Sequence, residues 1–282
     1  MMHSMKSRMA FSMLELIFVI VILGIVASIG AEIIAKVYES YIVQRAHHRA
    51  SIKTQLALNQ ITNRLRYAIP GTLVRRVGKT GTVEKLSDST MASNADSYTV
   101  LQWVGYDGDS FEAITSNANR KPGWSGFCDI DASSKTSLVT RGSNFTLTNA
   151  IQANLGNGTG KFAIYFPGDL DGSDNPIAHF GTGAGETITL DTNASRIVER
   201  YKLAWTSYAL VVEGKDLYLY YNFSPTYGTA IGATKSLLLK NVTNFKFEGR
   251  GQTTRVKICV EEFIGSNTPG TGIASCKEKA VF

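Results

Sequence analysis

FSMLELIFVIVILGIVASIGA, residues 11–31, is a run of 21 residues that carries a single charge, Glu15. A helix over this run, rising about 1.5 Å per residue, matches the ~30 Å hydrocarbon core of a bilayer. It reads as one membrane-crossing segment. Lys6 and Arg8 precede it, so the positive-inside rule keeps residues 1–10 in the cytoplasm and sends the rest of the chain outward. The competing reading is an ordinary secretory signal peptide, with n-region MMHSMKSRMA and a cut near Ala27 or Ala31. Glu15 argues against it. A carboxylate inside a membrane segment costs roughly 2.5–3.5 kcal/mol at the helix centre and less toward the interface, so it calls for a partner.

A cut on the cytoplasmic side, between Ala10 and Phe11, supplies one. It removes the basic leader, keeps the apolar segment and creates a free ammonium on Phe11, four residues from the Glu15 carboxylate. Between two parallel helices staggered along an axis these groups pair across the interface, where a low dielectric strengthens the attraction. Such a pair sets a register for assembly.

The ordered pattern Ala10, Phe11, Ser12, Met13, Leu14, Glu15, then LIFVIVIL and Gly24, resembles the class III signal of type IV pilins and type II secretion pseudopilins. That family carries a short basic leader ending in a small residue, then Phe, a small hydroxylated residue, two apolar residues, Glu and a long apolar helix. Two departures stand out. Ala10 occupies the place where Gly is usual, and no helix-breaking Pro follows the membrane segment, where Glu32 stands instead.

The resemblance implies cleavage between Ala10 and Phe11 by a prepilin peptidase, N-methylation of Phe11, and an assembly role for Glu15. It also implies a single-pass protein of the bacterial inner membrane with its head in the periplasm. The partners it implies are other pilins or pseudopilins and the inner-membrane assembly platform. QLALNQITNRLRYAIPG, residues 55–71, is similar to the late helix of J-type minor pseudopilins and of W-type minor pilins. Retention of Glu15 argues against the K-type tip subunit, which usually lacks it. The expected function is a minor pseudopilin of a type II secretion filament. The alternatives are a minor pilin of a type IV pilus, serving adhesion or DNA uptake, and, from another class, a secreted enzyme or binding domain with an ordinary signal peptide.

Residues 32–70 read as the amphipathic continuation of the same helix. Ile34, Val37, Tyr41, Ile52, Leu56, Leu65 and Ile69 recur mostly at three- or four-residue steps among Arg45, Arg49, Lys53 and Arg64. Pro70-Gly71 stops the pattern. A straight helix from Ser12 to Ile69 would be about 87 Å long. His47 and His48 read as solvated helix surface, since adjacent helix residues point about 100° apart and make a poor metal pair. The expected organisation is therefore a leader at 1–10, a membrane half-helix at 11–31, an amphipathic half at 32–70 and a globular head at 71–282.

The head reads as strands and turns. YTVLQWV at 98–104, KFAIYF at 161–166, ETITL at 186–190, YALVVEG at 208–214, DLYLYYNF at 216–223, SLLLK at 236–240, NFKFEG at 244–249 and RVKICVEEF at 255–263 are strand candidates. Glu213-Gly214-Lys215 reads as a hairpin turn. The Asn- and Gly-rich stretches 107–135, 142–160 and 167–185 read as long loops. The economical architecture is α+β: a long N-terminal helix packed on one antiparallel sheet.

Composition excludes several classes. The 282 residues are 44% hydrophobic and 18% charged, a globular balance. The formal charge of +6 is concentrated early: residues 11–70 hold six bases against three acids, while from Gly71 onward 21 bases meet 20 acids. With no basic, aromatic-laced face, nucleic acid is not an expected partner. The head's single histidine, His179, comes with no HExxH, GxSxG or P-loop sequence, so no enzyme is expected.

The three cysteines, Cys128, Cys259 and Cys276, form no CxxC pair, and spacing alone permits any two to join. Type IV pilins commonly staple a C-terminal loop, which implies a Cys259–Cys276 bond. Such a bond closes a loop of about 17 residues and contributes up to roughly 3 kcal/mol in an oxidising compartment. Cys128 then reads as a buried thiol. In PGDLDGSDNP, residues 167–176, Asp169, Asp171 and Asp174 flank Gly172. Three carboxylates in a tight loop can wrap calcium, as some pseudopilins do, but the spacing is not that of an EF-hand and ordinary turn chemistry is the favoured reading. No cofactor is expected.

Overall fold

The computed structural model describes residues 12–87, 97–116, 120–251, 253–264 and 272–281. By contact the chain divides into two units, Met1–Arg49 with Glu262–Ile273, and Ala50–Glu261 with Ala274–Phe282.

One helix, α1 (Met13–Leu65), supplies most of the first unit and opens the second. Ser12 starts it: its hydroxyl and its carbonyl accept from the Glu15 amide, at 3.2 and 3.1 Å. This serves one of the donors left orphaned at a helix N-terminus. The helix runs through Gly30 without interruption, and the exposed Glu32–Lys36 ion pair braces it one turn on. It stops at Leu65, four residues short of the predicted Ile69. The reason lies in the sheet: Ile69 donates its amide to the Val104 carbonyl at 2.8 Å, and Ala68 bridges to Gly105. Pairing with a strand takes these backbone groups from the helix before Pro70 is reached.

Among the described residues the chain forms three antiparallel sheets where the sequence reading foresaw one. In chain order the strands are β1 (Val74–Arg76), β2 (Val83–Lys85), β3 (Val100–Gly105), β4 (Asp129–Ser134), β5 (Ser137–Val139), β6 (Phe162–Tyr165), β7 (His179–Ala184), β8 (Thr187–Leu190), β9 (Lys202–Ala204), β10 (Thr206–Glu213), β11 (Asp216–Phe223), β12 (Lys235–Leu239), β13 (Val242–Arg250), β14 (Thr253–Phe263) and β15 (Gly272–Val281). The first sheet runs β12-β11-β10-β3-β1-β2, the second β4-β5-β8-β7-β6-β9, and the third β13-β14-β15. The expected hairpin is present: Glu213 pairs with Asp216 around Gly214, whose φ of 64° is the left-handed conformation that a two-residue turn requires.

Two of the main hydrophobic clusters show how the layers are held. Ala57, Leu58, Ile61 and Leu65 of α1 cluster with Trp103 and Leu210 of the first sheet and with Phe247 and Ile258 of the third. This is the apolar stripe of an amphipathic helix meeting sheet faces. A second cluster holds Trp124, Leu138, Phe145, Phe162, Ile164 and Ile188.

The three stretches expected to be long loops hold regular structure. The stretch 142–160 holds a helix, α3 (Phe145–Leu155): the Asn144 side chain caps it by accepting from Thr146 and Leu147, and Gly156, at φ 111°, ends it. Phe145 stacks on Phe162 at 5.6 Å. The stretch 107–135 holds a short helix, α2 (Gly108–Glu112), and β4, while 167–185 contains β7. Buried Trp124 and Phe145 anchor the first two of these stretches, and the buried Asp169–His179 pair anchors the third, though their Asn, Gly and Ser content suggested open loop.

Candidate functional site

Ala10 and Phe11, the expected processing residues, lie outside the described residues. Glu15 sits in the first turn of α1. Among the described residues its carboxylate has no ion-pair partner. Every large apolar side chain of α1 from Met13 to Tyr41 is exposed, Leu14 at 79% and Ile34 at 71%. An all-round apolar helix of this length is suited to lipid or to other apolar helices and unsuited to water. His47 and His48 are exposed on the same helix, as expected of a solvated surface.

Cys259 and Cys276 are joined, with their Cα atoms 4.0 Å apart, so the bond ties β14 to β15. Cys128 is free and buried, with its Sγ 3.3 Å from the Ser133 hydroxyl. Burial pushes its thiol pKa up, which makes it a poor nucleophile. The apolar helix and the disulfide together are features of a membrane-anchored or secreted protein.

The three aspartates of the 167–176 loop are not brought together. Asp169 is buried and faces inward, taking His179 Nε2 at 2.6 Å and the Ser195 hydroxyl at 2.7 and 2.9 Å. Asp171 organises the turn itself: its carboxylate accepts from the backbone amides of Ser173 and Asn175, at 2.8 and 2.9 Å, and from the Asn175 side chain. Those hydrogen bonds hold its pKa below the ordinary aspartate value. The outer carbonyls of Ser173 and Asp174 are taken by the Lys85 ammonium, at 3.2 and 2.9 Å. Oxygens that a calcium ion would need therefore already serve the protein's own donors. Among the described residues no three His, Cys, Asp or Glu side chains gather as a metal-binding group.

The Ser195–Asp169–His179 group contains the residue types of a hydrolytic triad in the wrong order. In a working triad the imidazole stands between hydroxyl and carboxylate, so that it can take the hydroxyl proton. Here the carboxylate stands in the middle and both neighbours point at it. The arrangement fastens the 167–176 loop to β7 and to the segment around Ser195.

Two features escaped the sequence reading. Asp107 is a buried hub: its carboxylate caps α2 through the Ser110 amide at 3.0 Å and accepts from Gln152 of α3 at 2.6 Å, while its carbonyl accepts from Trp124 Nε1 at 2.9 Å. Burial raises its pKa. Lys277 and Lys279 of β15 donate to Gln55 and Asn59 of α1, both at 3.1 Å. The Asp-x-x-Ser cap at 107–110 was a local signal; the lysine pairings cross more than 200 residues and left none.

Comparison with protein-family models, with curated proteins and with solved structures finds no match. The architecture itself is pilin-like: a long N-terminal apolar helix whose later turns pack against antiparallel sheets.

Proposed function

We propose that this chain is a filament subunit of the pilin type, a minor pseudopilin of a type II secretion system, processed by a prepilin peptidase and assembled with other pseudopilins on an inner-membrane platform. One observation carries the reading: an apolar helix, exposed on all sides from Met13 to Tyr41, holds in its first turn the carboxylate of Glu15, which has no ion-pair partner among the described residues. An anchor whose sole task is to hold a head in lipid gains nothing from that carboxylate. In a filament it meets the Phe11 ammonium of a neighbour and fixes the stagger between helices. The minor-subunit reading draws on the large head, on helix continuity through Gly30 and on the late-helix resemblance at 55–71. A minor pilin of a type IV pilus uses the same helix, and its genes would lie beside a retraction ATPase.

The test is cross-linking of membrane-inserted Glu15→Ala and Glu15→Gln protein to its filament neighbours. Both variants leave the head intact, and both leave the neighbour's ammonium unpaired, a loss of about 3–5 kcal/mol when buried. Cross-links should disappear. Wild-type cross-linking and secretion in both variants would remove the assembly role from Glu15.

A further inference from the structure

β9 is the edge strand of the second sheet, and its free edge is already closed. The Asp107 amide donates to the Leu203 carbonyl at 2.7 Å, Tyr201 donates to Gly126 at 3.1 Å, and Cys128 donates to Glu199 at 2.6 Å. No backbone ladder is left there for a peptide strand to join. What faces outward instead is a cleft of about 350 Å³, walled by the rings of Tyr106, Phe111, Trp124 and Phe127 and by Arg200 and Lys202.

The rings are held in place. Trp124 is buried and fixed by its indole bond to Asp107, with Phe111 at 4.8 Å and Tyr106 at 6.3 Å. Phe111 and Phe127 remain 43% and 49% exposed. The two cations sit against these rings: the Lys202 ammonium lies 4.8 Å from the Tyr106 ring, and the Arg200 guanidinium 5.7 Å from Phe127.

Two cations line the cleft, while Glu112, an acid that acts on its Tyr106 wall, accepts from the Tyr67 hydroxyl. On the second sheet and its surroundings three basic groups meet acids, in Lys121–Glu186, Arg141–Asp129 and Lys161–Asp191. Neither Arg200 nor Lys202 has a carboxylate partner among the described residues. Lys202 is half-buried, burial alone pushes its pKa down, and two further cavities of about 210 and 620 Å³ border it. A desolvated ammonium without an anion is costly unless a ligand supplies one.

We infer that this cleft binds a small planar organic anion, an aromatic carboxylate, with its ring against the exposed Phe111 and Phe127 and its carboxylate held between Arg200 and Lys202. The volume suits a small ligand, the ring walls favour a flat apolar body, and the two cations favour one carboxylate over a neutral group.

The test is calorimetric titration of the full chain in detergent micelles with 2-naphthoate, and with neutral 2-naphthamide and a blocked Glu-Phe dipeptide as comparison ligands. Lys202→Met protein in the same micelles reports partition into detergent. Saturable binding of 2-naphthoate is expected, weakened at least about tenfold by Lys202→Met, the loss of one charge-assisted contact. Lys202→Arg should keep binding within a few fold. If Lys202→Met fails to fold, 2-naphthamide binding at least about tenfold more weakly than 2-naphthoate to wild type supports the assignment. Equal binding of acid and amide, unchanged binding to folded Lys202→Met, absence of saturable binding, or binding of the dipeptide alone would overturn it.

Discussion

The Lys277 ammonium donates to the amide oxygen of Gln55 at 3.1 Å, one residue after Cys276 takes its disulfide from Cys259. Two residues further along β15, Lys279 does the same to Asn59. A two-residue step along a strand and a four-residue step along a helix advance by similar amounts, about 6–7 Å, so one strand face meets one helix face at two successive points. The disulfide holds β15 where those lysines reach α1. Replacing Cys259 and Cys276 together by Ser should lower unfolding stability by about 2–3 kcal/mol, the value for a loop of this size. Denaturant unfolding followed by tryptophan fluorescence measures it, and an unchanged midpoint would show that the strand is held without the bond.

Asp107 joins α2, α3 and Trp124 through one buried side chain and its carbonyl. Asp107→Ala removes the cap of α2 and strands the Gln152 amide, at a cost of about 1–3 kcal/mol. Near-UV circular dichroism should report looser packing around Trp124. A spectrum and midpoint like wild type would show that the hub is dispensable.

Glu213 carries the clearest pH signature. Hydrogen bonds from Lys235 and Tyr220, with Lys79 adding to them, depress its pKa to about 2 from an ordinary value of 4.5. A depressed carboxylate contributes stability that is fully present above its unfolded pKa and is lost as pH falls through the folded value. The loss should therefore run from about pH 4.5 down to about pH 2 and, because the group is partly exposed, amount to no more than about 1 kcal/mol. Urea unfolding of wild type and Glu213→Gln across that window should differ at pH 5 and converge near pH 2. Parallel curves would show that the network does not hold the carboxylate.

Much of this fold was legible because its signals are local. The apolar run with its lone Glu15 announces the helix, and Gly214 between two alternating runs announces the β10–β11 hairpin. The helix end was misplaced because Ala68 and Ile69 bond to β3, a partner some 35 residues away that no helical pattern encodes. Segment 142–160 read as loop because its Thr and Asn content hides a capped helix whose burial rests on Phe145 against Phe162. At 167–176 the aspartate spacing was visible, yet their directions were not: His179 draws Asp169 inward, and the turn uses Asp171.

Close packing at α3 gives a sharper test of that segment. A Cβ at Gly183 would lie 2.4 Å from the Phe145 ring and 2.8 Å from its Cβ, so the clash involves the root of the side chain as well as its ring. Gly183→Ala should push α3 off β7 and cost about 1–3 kcal/mol, as overpacking does. Thermal unfolding reads the loss, and a wild-type midpoint would mean that α3 moves freely over the sheet.

The proposal that α1 is the anchored, processed helix of a filament subunit stands or falls at its N-terminus. Mass spectrometry of the N-terminal peptide, on protein recovered from the membrane of a cell with a working prepilin peptidase, tests it most directly. The expected mature chain begins at Phe11, with a methyl group on its amine and Glu15 four residues on. A chain that begins near Ser28 or Glu32 would contradict it, because the apolar helix would then be a discarded signal peptide.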